Sequence, residues 1–222
     1  MEGSGFLFII ACLAFISVSS NAQTPVPSRP SGYIYQSSPN PKVVVEVFYD
    51  HLCDGSAANF PVLLQVLNAY VDNGVSGIIH IFPLPYHHNA FFMQWAGTTV
   101  RTANSAKFMN YTAAVFQNQD IFLTQAVNMT EIQVKNAIAQ FVETNVGISA
   151  DVILEGFQDS TLYYASVYDW KYAASRTITG TPQFIVNGVV VPDAQGYNFA
   201  QWKTFIDGLL GAKVPLHHKF NN

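Results

Sequence analysis

The period of the hydrophobic pattern changes several times along the chain, and each change marks an element. Val43-Val44-Val45-Glu46-Val47-Phe48-Tyr49 is a near-continuous β-branched and aromatic run, the mark of a buried strand. Asp50 to Ser56 breaks it, and Phe60, Leu63, Leu64, Leu67 and Tyr70 then recur at helical spacing. A helix is therefore expected from about Gly55 to Val71. Asp72-Asn73-Gly74 reads as a turn, and Gly77 to Phe82 as a second buried strand stopped by Pro83-Leu84-Pro85. Strand, helix and strand in this order imply a parallel pair with a right-handed crossover.

From His87 to about Arg176 the pattern turns helical. Helices are expected over Phe91 to Ala103, over Ser105 to Gln117, and from Thr130 to about Thr144. Ser149 is placed to cap a short one, and Ser160 a last one through Ser175. Strand character returns after Thr179-Gly180-Thr181-Pro182. There Asn187-Gly188 separates Gln183-Phe184-Ile185-Val186 from Val189-Val190-Val191, a strong hairpin signal. Phe199 to Leu210 closes the pattern as an amphipathic helix. Gln23 to Lys42 is rich in Pro and Ser, has no period, and reads as an extended leader.

Composition narrows the function classes. Half of the 222 residues are hydrophobic, so a sizeable core is available. Only 11% are charged and the net charge is −4, which argues against a nucleic-acid partner, since that needs a basic face. Residues 1–22 read as a secretory signal, with an apolar core from Phe6 to Val18 and a small-x-small site at Ser20-Asn21-Ala22. The n-region departs from the pattern by carrying Glu2 and no Lys or Arg. The alternative is a membrane anchor, for which the apolar core is short. No later stretch is long and apolar enough to span, so no membrane span is expected after cleavage.

Cleavage takes Cys12 with it and leaves Cys53 as the single cysteine. No intramolecular disulfide is then possible. A lone thiol in an oxidising compartment points to intermolecular pairing or a reactive role. Cys53 stands where a strand gives way to a helix, and the free N–H groups and dipole of a helix start stabilise a thiolate. Asp54 opposes this with a negative charge. The alternative is a buried cysteine that is only a small hydrophobe. Asn110-Tyr111-Thr112 and Asn128-Met129-Thr130 are glycosylation sequons, which make Asn110 and Asn128 candidate acceptors.

The whole order, β-α-β, a helical block, β-β-α, resembles the thioredoxin fold interrupted by an all-helical insertion, as in the DsbA-like proteins. Phe48-Tyr49-Asp50-His51-Leu52-Cys53-Asp54-Gly55-Ser56 stands where that family carries its C-x-x-C redox motif, and Thr181-Pro182 where it carries a cis-proline. Pro83-Leu84-Pro85-Tyr86-His87-His88-Asn89-Ala90-Phe91 and Tyr172-Ala173-Ala174-Ser175-Arg176 resemble segments of thioredoxin-like proteins of the eukaryotic secretory pathway. The resemblance implies a domain over residues 43–212 with a helical insertion at 87–176, followed by a tail at 213–222. It implies that Cys53 lies on the rim of a groove with Thr181 and Pro182 facing it, and that this loop offers backbone groups to an extended peptide. It also implies an extracellular or lumenal location.

One departure decides the chemistry expected. Ser56 replaces the second cysteine, and a hydroxyl cannot displace a substrate from a mixed disulfide. What the resemblance then implies is a monothiol oxidoreductase or isomerase acting through Cys53 on protein or peptide thiols and disulfides. No resident cofactor is called for, and glutathione is a possible co-substrate. The alternatives are a peptide-binding or chaperone-like module without turnover, and a glutathione-dependent transferase. Ser56 either hydrogen-bonds the Cys53 sulfur or caps the helix. His51, His87 and His88 are placed to converge near Cys53, where His51 and His87 are candidate substrate-binding residues; otherwise they are exposed loop histidines. A zinc site built from them matches no standard ligand spacing, and no metal is expected. The Phe residues of the helical block either fill its core or line a groove.

Overall fold

The structure is a computed structural model that describes residue 26 and residues 31–211. The expected signal sequence and the tail at 213–222 lie outside the described residues. One mixed sheet organises the molecule, in the order β1-β3-β2-β4-β5. Its centre is β2 (Val43–Tyr49), parallel to β3 (Val75–Ile81) and antiparallel to β4 (Gln183–Val186). The crossover between β2 and β3 is α1 (Asp54–Ala69). The hairpin partner of β4 is β5 (Val189–Val190), and its turn puts Asn187 at φ 48° and Gly188 at φ 81°. Both values are positive, the combination that an Asn-Gly pair supplies with least strain.

Between β3 and β4, among the described residues, no strand joins the sheet. The segment folds instead into α2 (Ala90–Ala103), α3 (Phe108–Gln117), α4 (Glu131–Val146), α5 (Ala150–Gly156) and α6 (Ser160–Ser175). The closing helix is α7 (Phe199–Gly211). This is a DsbA-like thioredoxin fold with a helical insertion. Local chemistry sets the helix starts. Thr130 accepts from Gln133 N while the Gln133 side chain takes the Thr130 N–H, a complete capping box. Ser149 accepts from Asp151 N as expected. The cap of α6 is Asp159, whose carboxylate takes the Thr161 N–H at 2.7 Å, rather than Ser160, which begins the helix.

The segment from Gln23 to Lys42, read from sequence as a leader, contains β1 (Tyr33–Gln36), which pairs antiparallel with β3 at the sheet edge. Gly32 makes this docking close. A Cβ there would stand 2.6 Å from His80 Cε1.

Alternation along β2 divides the core. Val43, Val45, Val47 and Tyr49 face α1 and α7 and pack with Leu63, Leu67, Trp202 and Ile206. A second core fills the insertion around Met93, Val100, Tyr111, Ile138 and Val142. On the other face of β2, Phe48 joins Cys53, Phe82, Leu84, Ala173, Ile178 and Ile185 in a smaller cluster directly beneath the site. On that face a buried polar contact attaches α6 to the sheet. Glu46 Oε2 accepts from Tyr172 OH at 2.8 Å and meets His80 Nε2 at 3.1 Å. The rings of Phe48, His80 and Tyr172 stack against one another in a three-ring group, His80 lying 4.6 Å from Phe48 and 5.0 Å from Tyr172. Burial raises the Glu46 pKa, but the hydrogen bonds from His80 and Tyr172 together with the charges of His80 and Arg176 hold the carboxyl below its ordinary value.

Candidate functional site

The site is built on the link between β2 and α1. The β-branched run ends at Tyr49, and Cys53, in extended conformation (φ −85°, ψ 125°), is the N-cap of α1. Its thiol donates to the Thr181 carbonyl at 3.3 Å, with Asp54 Oδ1 at 4.0 Å. The Thr181-Pro182 peptide bond is cis. A Cβ on Gly55 would lie 3.2 Å from Pro182 Cδ and 3.7 Å from the Cys53 sulfur, so the two loops are in contact. Cys53, Thr181 and Pro182 are thus brought together as the resemblance implied. The sulfur differs in exposure from the expectation. Cys53 is 6% exposed and sits just under the rim, roofed by the Thr181 carbonyl and packed against its apolar cluster.

Ser56 is fully buried, and its hydroxyl accepts from the Asp50 N–H at 3.3 Å. It is neither the helix cap nor, among the described residues, a partner of the Cys53 sulfur, because its side chain points back along the helix axis to the start of the loop.

The residue at the centre of this loop is Asp50, which the pattern reading passed over. Its carboxylate is fully buried. Oδ1 accepts from Leu52 N at 2.8 Å, and Oδ2 accepts from Leu84 N at 2.9 Å and meets His87 Nδ1 at 2.7 Å. One carboxylate therefore fixes the Cys53 loop, the turn after β3 and a histidine. Burial pushes the Asp50 carboxyl above its ordinary value, against the pull of these three hydrogen bonds. The available signal was an acidic residue at the end of a buried strand, three residues before the cysteine.

The histidines separate. His87 has its side chain 20% exposed, and it lines an open groove of about 390 Å³ with Leu84, His88, Phe91, Tyr163 and Trp170. Leu84 also packs in the Cys53 cluster, so it is shared between that cluster and the groove, although Cys53 itself does not line the groove. His51 was expected beside Cys53 as a substrate-binding or exposed residue; the structure places it elsewhere. It is fully buried and turned into the insertion, among Phe108, Tyr111 and Phe116. Its Nε2 lies 3.3 Å from Thr112 Oγ1. Burial drives its pKa from 6.5 down to about 3, so the ring is neutral. A convergence of both histidines on Cys53 does not form.

A second residue found only in the structure is Gln119. Its amide donates to the carbonyls of His51 and Cys53, at 2.9 Å each. The sequons also differ. Asn110 is exposed on α3, but Tyr111 and Thr112 beside it are buried, whereas Asn128, Met129 and Thr130 are all exposed in the turn before α4. Among the described residues no helix is long and apolar enough to cross a membrane.

A strand-to-helix cysteine held against a cis-proline loop, on a mixed sheet with a helical insertion, defines a protein of thioredoxin type. The thioredoxin family model matches residues 32–208, and the chain belongs to that family. The fold is shared with solved structures of low sequence identity. One is a protein from Pseudomonas syringae, described as a candidate protein-disulfide isomerase. It is 19% identical, with 80% of this chain and 97% of that one covered and a TM-score of 0.67. BdbD from Bacillus subtilis is 16% identical over 86% of this chain and 100% of its own, with a TM-score of 0.65. The thiol-disulfide exchange protein alpha-DsbA2 from Wolbachia pipientis is 15% identical over 80% and 85%, with a TM-score of 0.59. A search of curated protein sequences finds no match.

Proposed function

We propose that the protein is a monothiol thiol-disulfide oxidoreductase or isomerase of the secretory pathway, acting through Cys53 on protein or peptide disulfides. The observation that carries the reading is the Cys53 sulfur at the N-cap of α1, 3.3 Å from the Thr181 carbonyl beside Pro182. Its likeness in fold to a candidate protein-disulfide isomerase and to the thiol-disulfide exchange protein alpha-DsbA2 supports it. The Cys53 thiolate attacks one sulfur of a substrate disulfide. A Cys53–substrate disulfide forms and the other substrate sulfur leaves as a thiolate. Position 56 offers only the buried Ser56 hydroxyl, so resolution falls to an external thiol such as glutathione. That thiol displaces either Cys53 or the substrate and restores one free thiol. Asn128, in an exposed turn, is the better placed of the two glycan acceptors for a lumenal or extracellular protein.

The test is incubation with a disulfide-bonded peptide. The wild type should accumulate a covalent Cys53 adduct that glutathione releases, and Ser56→Cys should release the peptide once without added thiol, ending with an internal disulfide to Cys53. Reaction of wild-type Cys53 with a small disulfide no faster than free cysteine, from roughly pH 5 to 9, would overturn the reading. A peptide-binding module without turnover would then stand in its place. The low exposure of Cys53 and the apolar groove beside it favour that second reading.

A further inference from the structure

The loss of a second cysteine leaves a proton unaccounted for. An external thiol attacks as its thiolate, so below the thiol pKa a base beside the mixed disulfide raises the share that can attack, and Cys53, its sulfur already in that disulfide, cannot be the base. The groove that shares Leu84 with the Cys53 cluster holds a side chain arranged to accept that proton. His87 Nδ1 lies 2.7 Å from a fully buried carboxylate, Asp50 Oδ2. A carboxylate can only accept, so in the neutral ring the proton sits on Nδ1 and Nε2 carries the lone pair. Among the described residues Nε2 has no hydrogen-bond partner. The ring is partly exposed and lines the 390 Å³ groove. Asp50 is itself fixed by the N–H groups of Leu52 and Leu84, so the imidazole hangs from the same rigid loop as Cys53.

We infer that His87 Nε2 is the proton acceptor for the external thiol that resolves the Cys53 mixed disulfide, with Asp50 as the positioning residue that sets its tautomer. The inference rests on the monothiol reading above. The sulfur under attack, the base and the orienting acid then come from three places: the start of α1, the turn after β3, and the residue just after β2. This is the general logic of an activated nucleophile, applied to the incoming thiol. The thiol R–SH gives its proton to Nε2, leaving R–S⁻ and the imidazolium. R–S⁻ attacks the mixed disulfide, forming a new S–S bond and expelling one sulfur as a thiolate. The imidazolium returns the proton to that sulfur. One disulfide is broken and one formed, with no net oxidant. The other titratable side chains facing the ring are Tyr86, edge-on at 4.9 Å, and His88 and Tyr163 in the groove.

The test separates the two half-reactions. Full-length protein is loaded on Cys53 with glutathione disulfide, the adduct is isolated, and its release by reduced glutathione is followed against pH for wild type and H87Q. Without a base, release should fall about tenfold per pH unit below the thiol pKa, because only free thiolate attacks. The wild type should fall less steeply, and near neutral pH it should release at least about tenfold faster than H87Q. A merely structural role for His87 would lower the rate without changing that slope. An identical slope and rate in H87Q would overturn the assignment of the base and leave the monothiol reading intact. If wild-type Cys53 forms no adduct, both fall. A second measurement needs no substitution. Nitrogen-15 spectra of the wild type should show His87 protonated on Nδ1, with an Nε2 resonance that moves when Cys53 carries glutathione. Protonation on Nε2, or a resonance that does not move, would overturn the assignment even if H87Q failed to fold.

Discussion

The loop from Asp50 to Cys53 has an inner and an outer side, and a histidine stands on each. On the inner side His51 is sealed against the insertion, neutral, and surrounded by aromatic rings. On the outer side His87 is partly exposed, bound to a buried carboxylate, and open to a groove. The two residue types are the same and the two environments are opposite. The inner side makes the loop rigid through packing and the Gln119 amide. The outer side keeps polar groups within reach of solvent. Rigidity and chemistry are thus assigned to different faces of four residues, and each face can be perturbed alone.

The largest effect should come from the inner side. Tyr111 is fully buried, packs edge-on to His51, and donates to the Met93 carbonyl at 2.6 Å. Tyr111→Ala removes a large buried aromatic together with its hydrogen bond to that carbonyl, and should cost about 3–5 kcal/mol, read as a lower urea midpoint. The next effect is an acid sensitivity with a sign. His51 is held at about 3 in the folded chain against 6.5 when free. Its contribution to stability is therefore present above pH 6.5 and lost as pH falls toward 3, by up to about 5 kcal/mol. Asp50 has the opposite sign, because its folded value is raised above 3.8. Its contribution is present below 3.8 and lost as pH rises through the folded value. Stability measured against pH should lose its acid slope in His51→Leu, whereas Asp50→Asn should keep it. The reverse result would collapse the distinction between the two sides.

A smaller effect is expected at Gln119. Gln119→Ala takes the side-chain donor from the His51 carbonyl and one of two donors from the Cys53 carbonyl, which keeps the Ala57 N–H, and should cost about 1–3 kcal/mol. It should also raise the reactivity of Cys53 toward a thiol-labelling reagent, since the loop loses its inner brace. The smallest belongs to the outer side. Tyr86 is 71% exposed, and Tyr86→Ala should change stability by less than about 0.5 kcal/mol. A loss as large as that of Tyr111→Ala would show that the outer side carries load as well.

What could be read from the pattern was whatever depends on neighbours in sequence. The β-branched run before Cys53, the Asn-Gly turn and the Thr130 capping box are local signals, and the structure has all three. The edge strand at Tyr33–Gln36 was hidden by flanking Pro and Ser, and only the side of β3 that receives it defines it as a strand. The orientation of His51 is set by Phe108, Tyr111 and Thr112, about sixty residues away, so no period near position 51 could reveal it. Asp50 reads as a turn residue until Leu84 and His87 are seen to close on its carboxylate. Gln119 sits beside a turn of π-helix, Ile121–Gln125, which no hydrophobic period announces.

The carbonyl over the sulfur also has a meaning in time. Thr181 lies 128 residues after Cys53. At ordinary elongation rates the ribosome needs on the order of ten seconds to make that interval. Through those seconds the nascent chain carries Cys53 without its roof, and Gln119 and His87 arrive before Thr181 does. A thiol that is 6% exposed in the finished protein is bare during its own synthesis. Any adduct acquired then must be removed, or accommodated, before the last loop can settle on the sulfur.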